Sequence, residues 1–540
     1  MSTTAVRAPC DEGVIRAGDA PARGVSAAAG PRAGTWVLVA AMLGSSMAFI
    51  DGTVVNVALP VLQRALRADV AGVQWVVEAY ALLLSALLLV GGSLGDRYGR
   101  KRVFAIGVGV FGLASVACGL APSLAWLVAA RAVQGVGGAL LVPGSLALIS
   151  ASFTPEQRGR AIGTWSGGTA IAAGLGPVLG GWLVQSASWR WIFFVNVPMA
   201  AAVLAILLRV PESRDDEAAH APLDVAGAVL TTLGLGGVTL GLVESAHRGW
   251  TSPLVLGGIA GGAAALAGFV AVEHRSRAPM VPPGLFRSRT FTGANLLTLL
   301  LYAALGGAMF FIPFDLIDVQ GYGPAAAGAA FLPFIVLMSV LSRWSGGLVD
   351  RFGARLPLTV GPMVAAAGFA LFALPGIGGS YWTTFFPAVV VLGAGMSIAV
   401  APLTTAVMGA VESRHAGVAS GINNAVSRAA GLLSIAAFGL VAIGAFGGAL
   451  PDRLAANRVP ADVGRAVEAQ HVRLAAAAAP PGAPPAVRAA ADRAVDEAFV
   501  HAFRVVMLVA AAMAAASGII GWMMIDPTPA LRATASSPTS

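Results

Sequence analysis

Charge is what this chain has least of. Only 11% of its 540 residues are Asp, Glu, Lys or Arg, 57% are hydrophobic, and mean hydropathy is +0.79. Soluble domains carry about a quarter charged residues, so most of this surface cannot face water, and a bilayer is the alternative solvent. Lysine is nearly absent: Lys101 is the only one among 34 basic residues. With so much Ala and Gly, that bias reads as GC-rich bacterial coding. Cysteine is confined to Cys10, in a polar N-terminal stretch, and Cys118, in an apolar run, which argues against a disulfide and gives no metal site. The net charge of +8 does not point to nucleic acid, because the basic residues sit in small clusters at the ends of apolar runs, without interleaved aromatics. No phosphate-cradling Gly-Lys-Ser/Thr loop exists. Two patterns imitate enzyme motifs, Gly107-Val-Gly109-Val-Phe-Gly112 and Gly91-Gly-Ser93-Leu-Gly95, but both lie in apolar runs without the strand that such motifs follow.

Long apolar runs are plentiful. Crossing the hydrocarbon takes about 20 apolar residues, and such segments lie at 35–58, 73–94, 102–121, 124–149, 160–185, 191–210, 223–243, 253–273, 291–314, 325–349, 357–376, 382–409, 417–447 and 498–525. This predicts an all-α integral membrane protein of about fourteen spans. One set of alternate loops holds Arg97, Arg100, Lys101, Arg102, Arg158, Arg160, Arg209, Arg214, Arg275, Arg277, Arg287, Arg289, Arg351, Arg355 and Arg414. The opposite set holds Arg64, Arg67, Arg190 and Arg248. The positive-inside rule makes the first set cytoplasmic, together with both termini. The domain plan that follows is a disordered cytoplasmic tail at 1–34, a six-helix bundle at 35–210, an inserted helix pair with linkers at 211–290, and a second bundle at 291–525. The last contains a long outward-facing segment at 448–497, interrupted by a Pro cluster, and the chain closes with a cytoplasmic tail at 526–540. No cleavable signal peptide is expected, because the first apolar run is long enough to span.

One phrase occurs twice. Gly92-Ser-Leu-Gly-Asp96-Arg97-Tyr-Gly99-Arg100-Lys101-Arg102 returns as Gly346-Gly-Leu-Val-Asp350-Arg351-Phe-Gly353-Ala-Arg355, the two aspartates 254 residues apart. A repeat unit of that size is half a protein, as in duplicated secondary transporters. Four further phrases stand out: Asp51-Gly-Thr53-Val-Val-Asn56 with Pro60, Arg131-Ala-Val-Gln134-Gly135-Val-Gly137-Gly138, Gly176-Pro177-Val-Leu-Gly180-Gly181, and Trp189-Arg190-Trp191 with Asn196 and Pro198. Together and in this order they resemble the major facilitator superfamily, in its fourteen-span drug:proton antiporter branch (the EmrB/QacA type), nearly end to end.

The residues bear a physical reading beside the resemblance. Gly92 and Gly99 let helix ends approach, and Asp96 can bond a neighbouring helix N-terminus and pair with Arg. The resemblance implies that this loop and its thinner second copy, Asp350, Arg351 and Gly353, latch the halves and gate access. Arg131, Gln134, Gly135 and Gly138 share one helix face, and an arginine there costs about 2.5–3.5 kcal/mol on insertion scales, so it needs a cavity or a partner. The resemblance assigns it to proton coupling. Gly176, Pro177, Gly180 and Gly181 permit close contact and a kink, and the resemblance makes their helix the antiport-associated one. Asp51 lies 15 residues past Trp36, about 22 Å along a helix and hence in the outer part of span one. Glu78, Asp315 and Arg131 fall at similar depth, a layer suited to taking protons from outside. Asp318 reads as a loop residue, and Asn423 and Asn424 as substrate contacts or helix packing. Trp75, Tyr80, Trp165, Trp191 and Tyr322 read as interfacial belt residues.

The expected protein is therefore not an enzyme. It is a multi-pass antiporter of the bacterial cytoplasmic membrane, monomeric and without cofactor, that expels hydrophobic and often cationic compounds against protons. Its partners are a small-molecule substrate, protons and lipid. Export of an endogenous product such as a self-made antibiotic, or a non-transporting scaffold or receptor, are the rival readings.

Overall fold

The computed structural model describes residues 31–213, 224–276, 279, 281–412 and 416–527. Most of the expected N-terminal tail with Cys10, the linker part carrying Arg214, the positions of Arg277 and Arg414, and the C-terminal residues from 528 on lie outside the described residues.

Among the described residues there is no strand. Fourteen helices follow the predicted runs: α1 (Pro31–Ala65), α2 (Val70–Tyr98), α3 (Arg100–Gly119), α4 (Leu124–Ser152), α5 (Pro155–Ser186), α6 (Trp191–Leu207), α7 (Val225–Arg248), α8 (Pro253–Arg275) and α9 (Arg289–Phe314). The remainder are α10, broken into Pro324–Ala329, Leu332–Gly346 and Leu348–Phe352, then α11 (Arg355–Phe372), α12 (Phe385–Gly409), α13 (Ala416–Ala456) and α14 (Pro485–Met524). Thirteen are long and apolar enough to cross a membrane; α6 is shorter and interrupted at Val195. Side-chain caps start several of them. Asp69, Ser123, Asp224 and Ser288 each accept from the backbone N–H three residues on, and Pro155, Pro253 and Pro485 occupy first turns, where no N–H is needed.

Three boundaries differ from expectation. Pro31–Gly34 already belongs to α1. Nearly half of segment 448–497 is the continuation of α13 to Ala456 and an early start of α14 at Pro485, since Ala sustains a helix past the bilayer without apolar bulk. What remains between them is a short helix, Ala461–Glu468, a single turn at His471–Ala476 and the proline break. Finally, Asp318 is not in a loop. It belongs to a wide turn at Asp315–Val319 that prolongs α9.

Packing repeats with an offset of eight helices. In the first half α2 packs on α4, α3 on α4 and α6, and α1 on α5; in the second α10 packs on α12, α11 on α12 and α14, and α9 on α13. The halves meet along two seams, α5 against α10 and α2 against α13, which the same offset interchanges. The inserted pair is not peripheral to this arrangement, because α7 touches both α2 and α13. Its partner α8 is only 11% buried over its most apolar stretch, leaving that helix to lipid.

Glycine sets the closest approaches. A Cβ on Gly91 of α2 would stand 2.0 Å from the Ala139 carbonyl oxygen of α4. Gly109 of α3 faces open space, with nothing within 4 Å. Gly91→Val is therefore expected to lower stability by about 1–3 kcal/mol or more through overpacking, whereas Gly109→Ala is neutral or stabilising. Thermal unfolding of the detergent-purified variants checks both.

Candidate functional site

The span-one acid and the span-four arginine meet inside the first half. Asp51 of α1 and Arg131 of α4 are both buried and form an ion pair through Oδ2 and Nη1. The same Nη1 donates to Gln134 Oε1 at 2.6 Å, and Arg131 Nε donates to the Val76 carbonyl of α2 at 2.9 Å. Gln134 Nε2 donates to Asp51 Oδ1 at 2.9 Å and to Ser115 Oγ of α3 at 2.8 Å. Asn196 of α6 reaches Asp51 Oδ1 at 3.3 Å and Ser115 Oγ at 3.4 Å. The guanidinium lies over the Tyr80 ring, 4.3 Å from its centroid, with Phe193 behind at 5.8 Å. Five helices thus converge on one carboxylate and one guanidinium. In low dielectric such a pair needs further hydrogen bonds, and here Gln134, Asn196 and the Val76 carbonyl supply them.

The spacing argument placed Arg131 and Gln134 on one face, and that face does serve one cluster. Asn196 and Ser115 were not singled out as members. Asn196 stood inside a quoted phrase with its role unread, while Ser115 carries no signal among the Ala and Gly around it. Tyr80 departs from its expected place in an interfacial belt: it is buried, stacked on Arg131, with its hydroxyl 3.4 Å from the Ala48 carbonyl.

The other named acids do not join the cluster. Glu78 is fully buried on α2, and neither of its oxygens has a hydrogen-bond partner. Asp315 accepts from Gln320 Nε2 at 3.3 Å in the wide turn after α9. Asp318 crosses between halves to Arg64 at 3.4 Å. Asn423 donates to Asn295 and Thr298 of α9 at 3.2 and 2.7 Å, which is helix packing within the second half. Asn424 is exposed, and its neighbour Arg428 is half-buried.

The glycine-proline phrase of α5 works on two sides. A Cβ at Gly176 or Gly180 would strike Thr53 or Val54 of α1, while one at Gly181 would stand 2.1 Å from the Pro324 carbonyl of α10. The Pro177 carbonyl in turn excludes any side chain at Gly328. The remaining side-chain links between halves lie at the same end of the bundle, away from the Asp96 loop: Gln185 Oε1 accepts from Ala325 N at 3.2 Å, Gln74 Nε2 donates to the Ile435 carbonyl at 2.7 Å, and Gln63 Nε2 to the Arg473 carbonyl at 3.0 Å.

At the other end, Asp96 pairs with Arg100 at 2.8 Å, and Arg97 lies over Tyr98. Gly99 adopts φ +108, a conformation that favours glycine. The helix N-terminus beside it is capped by Glu212, whose carboxylate accepts from Lys101 N at 2.9 Å and Arg102 N at 3.1 Å, so Asp96 does not take that expected role. In the second copy Gly353 has φ +71 and Arg351 is exposed; the side chain of Asp350 lies outside the described residues.

Known proteins match this architecture. The sequence profile of the Major Facilitator Superfamily matches residues 41–435. The chain is 34% identical over 435 residues to the "Tetracenomycin C resistance and export protein" of Streptomyces glaucescens, covering 80% of each chain. It is 36% identical over 416 residues to the "Multidrug resistance protein Stp" of Mycobacterium tuberculosis, covering 75% of each. Among solved structures, a bacterial homologue of the human lysosomal transporter Spinster, inward-facing and unoccupied, superposes with a TM-score of 0.63 at 18% identity, over 93% of this chain and all of that one. A D-xylose–proton symporter gives 0.57 at 13%, over 91% and 98%. The chain belongs to the Major Facilitator Superfamily, as a multi-pass membrane transporter of small molecules and not an enzyme.

Proposed function

We propose that the chain expels hydrophobic, often cationic drug-like compounds from the cytoplasm in exchange for protons, as a monomer in the bacterial cytoplasmic membrane with both termini inside. The observation that carries this reading is the Asp51–Arg131–Gln134 cluster. An ionised Asp51 holds the guanidinium in place; a proton on Asp51 removes that charge, so the cluster has two states one proton apart. With the basic loops inside, the seam contacts would lie at the outer end, which supports a stage closed to the outside with Asp51 and Arg131 paired. Rocking of the halves about a midplane cavity would then let external water reach Asp51, where protonation accompanies substrate release. The exposed Asn424 would line that cavity, and the Asp96 and Asp350 loops would act as gate hinges on the cytoplasmic side. Each proton entering gains about 2.3 kcal/mol per 100 mV. At 1.4 kcal/mol per factor of ten, that sustains roughly a forty-fold gradient for one charge moved.

A second reading, export of an endogenous antibiotic, is favoured by relatives named for one compound, such as the "Cephamycin export protein CmcT" of Amycolatopsis lactamdurans, 36% identical over 437 residues. Vesicle transport across a panel of both compound classes separates the two.

Two predictions test the coupling. Asp51→Asn leaves the buried Arg131 unpaired and is expected to abolish substrate-induced proton release from acidified vesicles and to cost about 3–5 kcal/mol of stability. Asp51→Asn with Arg131→Gln should regain most of that stability without regaining proton release. Normal proton release by the double variant would remove the cluster from the mechanism. Gly181→Val forces a side chain into the Pro324 carbonyl. It is expected to keep the outer seam from closing, cutting export at least about ten-fold on the scale of a 1.4 kcal/mol shift. A cysteine at Gln185 should then become more reactive to an impermeant thiol reagent added outside.

A further inference from the structure

Glu78 stands apart from every other acid in the bundle. It is fully buried, both of its oxygens lack a partner, and it faces neither Asp51 nor Arg131. Its surroundings follow from register. On α2, Ala71 clusters with Val243 of α7 and Ala436 of α13, with Trp75 and Leu242 packed beside them. Three turns along, Leu82 lies against Gly236 of α7, where an added Cβ would be 3.1 Å away. The two helices run antiparallel, so the residues midway between these contacts are Glu78 on α2 and Thr239 on α7. Thr239 is also fully buried, and its hydroxyl is also without a partner. One turn from Glu78, Gln74 donates to the Ile435 carbonyl of α13. Glu78 and Thr239 therefore occupy the junction of the first half, the second half and the inserted pair.

A cavity of about 390 Å³ lined by Asp69, Trp75, Glu244 and His247 lies at the end away from the Asp96 loop. The apolar plug of Ala71, Val243 and Ala436, with Trp75 and Leu242 packed beside it, lies between this cavity and the level of Glu78. Two buried oxygen-bearing side chains, facing one seam and left unpartnered, mark a site for something the protein chain does not itself supply. One carboxyl and one hydroxyl are too few oxygens for a metal ion, and among the described residues no group of three metal-binding side chains exists. A proton needs only the carboxyl.

We infer that Glu78, with Thr239 beside it, is a second proton-binding site, and that its occupancy decides whether the α2–α13–α7 junction can close. Sealing an ionised carboxyl there without a donor is unfavourable, while the neutral acid can be enclosed. The proton is taken from external water as the junction shuts and returned there when it opens. This site thus moves no net charge across the membrane; it links the conformational equilibrium to external pH, whereas coupling stoichiometry rests on Asp51. The inference depends on the proposed rocking of the halves but not on proton coupling by Asp51. The charged groups near the junction are Asp69 on α2, Glu244, His247 and Arg248 on α7, Arg428 on α13, which is two turns from Ile435, and His471 in the turn packed against α13. Arg131 lies on the α4 side of α2, stacked on Tyr80. His247 is paired with Asp69 at 3.2 Å.

The test uses the full chain with Cys10→Ser and a reporter, Ala436→Cys, in the plug, and the chain without the reporter as blank. Right-side-out vesicles are treated with an impermeant maleimide at external pH 6 and 8, and the labelling rate is divided by that of the same chain carrying Glu78→Gln. The ratio cancels the thiol's own titration. One linked proton changes the opening constant by up to ten-fold per pH unit, so the ratio is expected to rise at least about ten-fold between pH 6 and pH 8. Glu78→Asp, His247→Gln and His471→Gln should keep this pH response, and Thr239→Val, which removes the one hydroxyl at the level of the carboxyl, should move its midpoint to higher pH. A ratio independent of pH overturns the inference, as does a response that disappears with either histidine or one that follows sodium instead of pH. If Glu78→Gln fails to fold, the Thr239→Val shift, measured against the parent, decides in its place. Loss of proton coupling in transport with this labelling response intact would refute the antiport reading alone.

Discussion

The fold is organised around an ion pair that hydrocarbon will not tolerate in pieces. Neither Asp51 nor Arg131 could sit at its depth alone, since the penalty for one unpaired buried charge is several kcal/mol. Satisfying both draws in Gln134, Ser115, Asn196 and the Val76 carbonyl, and so pins α1, α2, α3, α4 and α6 to one another. Apolar packing alone would not fix that arrangement, because lipid chains are as apolar as the side chains they replace. The remaining specificity comes from close approach at small residues, Gly91 of α2 against α4, and Gly181 and Gly328 across the first seam.

The second half repeats the topology without the charge. Where the first half places an acid and an arginine, α9 and α13 exchange hydrogen bonds among Asn295, Thr298 and Asn423, a neutral set that tightens helices but cannot change state with one proton. Two acids of the second half, Asp315 and Asp318, stand in the wide turn after α9, and Asp318 reaches across to Arg64. Duplication thus conserved the scaffold while chemistry concentrated on one side. The seams inherit this asymmetry: α5 meets α10 through closely approaching backbone at Gly181 and Gly328 and through Gln185, while α2 meets α13 through Gln74 and carries Glu78 nearby.

How much of this the chain discloses follows from the physics of apolar helices. Depth is legible, because a span must begin and end at the interfaces; Asp51 and Arg131 were expected at one level and meet there. The number of spans and the doubled topology were legible from the apolar runs and the repeated phrase. Rotation is not. A helix apolar all round has no preferred stripe, so nothing in the pattern says that Tyr80 turns inward onto Arg131 or that Glu78 turns away from it. Ser115 is lost for the same reason, one hydroxyl in a run of small residues. The shorter α6 and the overlong α13 and α14 show a different limit: helix propensity and membrane length are separate quantities, and alanine satisfies the first without reporting the second.

The inserted pair illustrates what rotation decides. On α2, Glu78 points between α13 and α7, and with α7 removed part of that direction would be hydrocarbon. A carboxyl presented to lipid, even a neutral one, loses every polar neighbour, whereas here it has Thr239 at its own level and a polar cavity one plug away. The inserted pair thus covers the acid at this position, and α7 supplies a buried hydroxyl without a partner of its own. In that sense α7 belongs to the seam as much as to the pair. It touches both halves, so any rocking that separates α2 from α13 must also move one of them along α7, and whatever stabilises the three-way junction acts directly on that motion.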